Sequence, residues 1–143
     1  MTDYKDALAE IALRRGTILF SKELFKDTVG HPKHFVIIGE DDDNYMGYFY
    51  INSEIHKCIQ HKEQQCKLQY VVRNEDYPFL KYFSYVNCAT LMNFSKRYLK
   101  DCILNGIAII EGELNKFDLD NILKSVRDSE EYTPKEKKTY FKE

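Results

Sequence analysis

Apolar residues change their spacing several times along this chain, and each change marks an element. Ala7, Leu8, Ile11 and Ala12 recur at helical spacing, so residues 3–13 read as a short amphipathic helix with Thr2 or Asp3 available to cap it. Arg14, Arg15 and Gly16 close it, because cations suit a helix C-terminus and glycine the left-handed position beyond. Residues 17–20 and 35–38 are short apolar runs too rich in β-branched side chains for helices, and read as strands. The polar stretch 21–30 is a loop between them. Asp41-Asp42-Asp43-Asn44 is an acidic turn, and the Tyr- and Phe-rich residues 45–51 complete an antiparallel hairpin.

Residues 68–72 predict another strand, and 83–86 a further short strand or turn beyond the loop at Pro78. Residues 93–104 fit either a helix or an irregular connection. Residues 107–110 have strand composition, which Glu111-Gly112-Glu113-Leu114 breaks. Leu119, Ile122, Leu123 and Val126 share one face of a helix over 118–126. Residues 130–143 mix Lys135, Lys137, Lys138 and Lys142 with acids and three aromatics, and read as a frayed extension. The order predicts a mainly β, α+β fold: a small antiparallel sheet, partly closed as a barrel, with N-terminal and C-terminal helices. Neither an internal repeat nor a low-complexity linker interrupts it, so one domain of 143 residues is expected. Its parts are an N-terminal helix (1–14), the barrel and C-terminal helix (15–128), and a charged tail (129–143).

Composition narrows the function classes only modestly. A 43% hydrophobic, 31% charged chain is an ordinary globular one. A net charge of −2 exerts no global pull on nucleic acid or an anionic membrane, so polyanion binding needs a local basic patch. The 11 Tyr and 9 Phe, with no Trp, suit strands that bury a ring and wet its hydroxyl, and also suit a surface on which bases stack. No apolar run is long enough for a membrane span and the N-terminus lacks a leader pattern, so a cytoplasmic location is expected. Cys58, Cys66, Cys88 and Cys102 are then expected to be reduced.

Gly30-His31-Pro32-Lys33-His34 concentrates the usable chemistry, setting two imidazoles and an amine at the mouth of an apolar strand. Histidine alone titrates near neutrality without help. His56, Cys58, His61 and Cys66 offer metal-type ligands, but their spacing matches no zinc motif, and no metal or other cofactor is expected. Asp41-Asp42-Asp43 lacks the alternation of a calcium loop and reads as a solvated turn. Cys102, near Arg97 and Lys100, lies where burial is the usual fate of cysteine. Lys57, Lys62, Lys67 and Arg73, interleaved with Tyr70 and Tyr77, have the composition of a single-strand RNA groove and equally of an exposed sheet face.

The order of these pieces resembles the MazF/PemK-like toxins. The resemblance runs through Gly16-Thr17-Ile18-Leu19-Phe20, then Gly30-His31-Pro32-Lys33-His34 before Phe35-Val36-Ile37-Ile38, then Ile51-Asn52-Ser53. It continues in Phe79-Leu80, Phe83-Ser84-Tyr85-Val86-Asn87, and Gly112-Glu113-Leu114 before the last helix. It implies an SH3-like barrel, a homodimer with grooves at its interface, and an antitoxin peptide filling them. The activity implied is metal-independent cleavage of single-stranded RNA, with His31 and His34 as acid and base, Lys33 as the cation and Ser53 bonded to the phosphate. The family's arginine beside the strand is absent. Lys33 stands there instead, a point charge without the planar fork. That departure favours the alternative, a catalytically silent barrel that binds a protein or nucleic acid.

Overall fold

The computed structural model describes residues 4–24, 32–53 and 63–142. The first helix, Tyr4–Ala12 (α1), leads through Gly16 at φ +94° into strand Thr17–Ser21 (β1). Lys33–Glu40 (β2) and Tyr45–Asn52 (β3) form the expected hairpin. A single turn, Glu63–Cys66 (α2), precedes Gln69–Val72 (β4) and Ser84–Asn87 (β5). Met92–Ser95 (β6) then runs directly into Lys96–Leu104 (α3), with Ser95 as the cap. Ala108–Glu113 (β7), Lys116–Asp128 (α4) and Pro134–Tyr140 (α5) complete the chain. The fold is therefore α+β, built on an antiparallel sheet.

The sheet runs β4-β5-β3-β2-β1-β7, with β6 pairing the first half of β3 and β5 its end. It is not closed: β4 and β7 share no ladder among the described residues. The barrel expectation is corrected here, and the reason is visible in β2. Phe35, Val36, Ile37 and Ile38 are all buried, but on opposite faces. Val36 and Ile38 join Phe49, Ile51 and the α4 side chains Ile122, Leu123 and Val126. Phe35 and Ile37 join Leu19, Tyr48 and the α3 side chains Leu99 and Cys102. Helices thus cover both faces of the sheet, which needs no closure to bury them.

Two further expectations are overturned. Glu111-Gly112 does not end β7. Ile18 pairs with Gly112 and Leu19 with Ile110, leaving Glu111 as the extra residue of a bulge that the strand continues through. Nor does the C-terminal tail fray. Thr133 and Glu136 form a reciprocal capping box for α5, and Phe141, fully buried, packs with Tyr132 and Phe49. No described helix is long and apolar enough to cross a membrane.

Candidate nucleic-acid cleft

The start of β2 and the end of β3 meet the 79–84 segment around a cleft of about 470 Å³. Lys33, His34 and Ser53, three of the four candidate catalytic residues, line it. His31 lies outside the described residues. The cleft wraps the end of the sheet, and strand alternation sends neighbouring side chains to opposite faces.

His34 follows Val36 and Ile38. It pairs across the sheet with Phe20 on one side and Ile51 on the other. Its ring lies 4.6 Å from that of Phe20 and 5.7 Å from that of Phe79, the second contact stacked. Its Nε2 is buried and has no hydrogen-bond partner among the described residues. Burial holds the imidazole below its ordinary pKa, so the neutral ring is favoured.

Lys33 follows Phe35 and Ile37 to the other face. Its ammonium donates to Asn52 Oδ1 and sits 5.5 Å from the centre of the Tyr50 ring. Burial lowers its pKa as well. Ser53 is exposed just beyond β3. One cleft therefore gathers these residues, but not around one point: the imidazole is capped by rings on one face of β2, and the amine is bonded to Asn52, also on the cleft wall, on the other.

The loop between β4 and β5 supplies what sequence reasoning missed. Tyr77 and Tyr70 both donate to the buried carboxylate of Asp118, Tyr70 at 2.6 Å. Tyr77 Oη also accepts from the Asn115 amide at 3.2 Å. These bonds anchor the loop, and Phe79 lies over Gly112, where a Cβ would stand 3.0 Å from its ring. Beyond Phe79 the chain presents Lys81, and then Tyr82, which is 66% exposed on the cleft wall. Among the described residues Glu111 is the only carboxylate lining the cleft. The signal was available in Pro78-Phe79-Leu80-Lys81-Tyr82-Phe83, where a cation sits among three aromatics just after a proline.

Of the other proposed RNA contacts, Lys67, Tyr70, Arg73 and Tyr77 do not line this cleft. Lys67 pairs with Glu63 at 3.3 Å and Arg73 with Glu75 at 2.9 Å, both exposed. Tyr70 packs against the core and spends its hydroxyl on Asp118, and that burial pushes its pKa up to about 12. It offers no free ring for a base. Lys57 and Lys62 lie outside the described residues, as do three of the four proposed metal-type ligands, His56, Cys58 and His61. Among the described residues no group of three His, Cys, Asp or Glu could hold a metal ion. Cys88 and Cys102 are buried, and burial raises both thiols above their ordinary range, opposite to what a nucleophile needs. Compared with known proteins, the chain matches no family model and no curated protein.

Proposed function

We propose that this chain is a binding module whose cleft holds a single RNA strand by stacking and cation contacts, without cutting it. The observation carrying this reading is the divergence of Lys33 and His34. Cleavage through the 2′-OH needs a base, an acid and a cation around one phosphate. Here the buried Nε2 of His34 lies between Phe20 and Phe79, and the Lys33 amine is bonded to Asn52 on the opposite face. The groups open to a strand are of another kind. Tyr82 offers a ring face, Lys81 a charge and Ser53 a hydroxyl. An exposed aromatic beside cations is how single strands are held without sequence readout.

Anisotropy of a labelled single-stranded RNA at low salt tests this. The parent chain should bind with affinity that falls as salt rises. Tyr82→Ala should weaken binding by about 5- to 100-fold, the range for losing one stacked base. Binding unchanged in Tyr82→Ala would contradict the assignment.

A second reading, the metal-independent endoribonuclease that the resemblance implies, is favoured by one observation: Lys33, His34 and Ser53 share a cleft. It requires Phe79 to leave His34 so that Nε2 reaches substrate. The homodimer and the antitoxin peptide belong to this reading.

A further inference from the structure

We propose a second binding site, for a small phosphoryl dianion, in the cavity between the end of α1, the end of β2 and the C-terminal segment. It is separate from the RNA cleft and does not depend on that reading. The cavity, of about 390 Å³, is lined by Arg14, Arg15, Lys96 and Lys142, with Glu10 and Glu40 as its carboxylates. That size suits a small ligand.

Among the described residues the charges do not balance. Lys96 lies 3.4 Å from both Glu10 and Glu40, and Lys100 reaches Glu10 at 3.7 Å. Both carboxylates are thereby engaged. The Arg14 guanidinium and the Lys142 ammonium have no carboxylate partner among the described residues.

Arg15 is the organising group. Its Nε donates to the Ile38 carbonyl at 2.6 Å, and its two terminal nitrogens to the carbonyls of Lys142 at 2.6 Å and Tyr140 at 3.0 Å. Three of the five N–H groups of a guanidinium are thus spent, and among the described residues two remain, on a plane that three carbonyls hold fixed. Carbonyls satisfy hydrogen bonds but leave the charge uncompensated. Burial and the neighbouring guanidinium of Arg127 both act against that charge. A fixed fork flanked by two further cations matches a tetrahedral dianion better than a monovalent carboxylate. Lys96 opens α3, whose first amides add positive potential at the same wall.

Calorimetry on the full chain tests the site, using inorganic phosphate, glycerol phosphate and acetate at ionic strength matched with sodium chloride. Saturable binding of the phosphoryl probes is expected, weakened about tenfold or more in the double variant Arg14→Gln, Lys142→Gln by loss of two charge-assisted contacts. Equal affinity for both probes would assign the site to the phosphate group alone, and tighter glycerol phosphate to a phosphorylated metabolite. Either supports the site. Heats indistinguishable from chloride, acetate bound as tightly as phosphate, or a double variant that binds like the parent would overturn it.

Discussion

His34 shows how one residue links sheet pairing to chemistry. Its place in β2 puts it opposite Phe20 and beneath Phe79, and the resulting burial disfavours the imidazolium. The unfolded chain binds a proton as pH drops through the ordinary value of 6.5, whereas the folded chain resists it. Its contribution to stability is therefore full above that value and is lost as pH falls below it. Thermal unfolding should show this loss between about pH 7 and pH 5, where histidine is the side chain that titrates. His34→Leu should flatten the curve, and an unchanged acid-side slope would place the effect elsewhere. Asp118 carries a different load: it accepts both the Tyr70 and the Tyr77 hydroxyls in a buried setting. Asp118→Ala should cost roughly 2–4 kcal/mol by stranding one buried and one partly buried donor, measured by urea denaturation. A loss below about 1 kcal/mol would show that water replaces the carboxylate.

At the scale of elements, the C-terminal helix is the part the sequence concealed. Its charged composition reads as solvated, and its two docking contacts are not periodic. Gly39 and Gly47 are cross-strand partners in β2 and β3. Together they leave a trough on the sheet. A Cβ on Gly39 would collide with the Tyr140 carbonyl, and one on Gly47 would stand 2.7 Å from the Tyr140 ring. Tyr140 then reaches Asp41 through its hydroxyl at 3.0 Å. Gly39→Ala should destabilise the protein by about 1–3 kcal/mol through overpacking and raise proteolytic cleavage within residues 129–142. Thr133→Ala, which removes the cap alone, should cost about 1 kcal/mol. Unchanged protease resistance in Gly39→Ala would mean that the helix does not depend on this seat. The helices at 4–12 and 116–128 and the first three strands were legible, because period and composition agree there. The strand-to-helix join at Ser95 and the bulge at Glu111 were not. Both depend on partners distant in sequence, Tyr45 for the first and Leu19 and Ile18 for the second. The site was half legible for the same reason. Lys33 and His34 stand out in local composition and Ser53 enters through the resemblance, whereas Phe79 and Tyr82 reach the cleft through a loop that Asp118 anchors.

At the scale of the whole molecule, the covering of both sheet faces decides what the cleft can do. A sheet buried on each side projects Lys33 and His34 into different environments, so the residues closest in sequence are the least able to act together. What remains common to them is a rim at the end of the sheet, where exposed Tyr82, Lys81 and Ser53 face outward. Binding without cleavage is the behaviour we propose for this arrangement. The most direct test is to incubate the purified chain with a long single-stranded RNA in excess EDTA, following retention of the strand and the chemistry of its ends together. The account predicts a retained strand with every phosphodiester intact. Discrete cuts that leave cyclic phosphate and 5′-hydroxyl ends, and that vanish in His34→Ala, would contradict it and restore the cleavage reading.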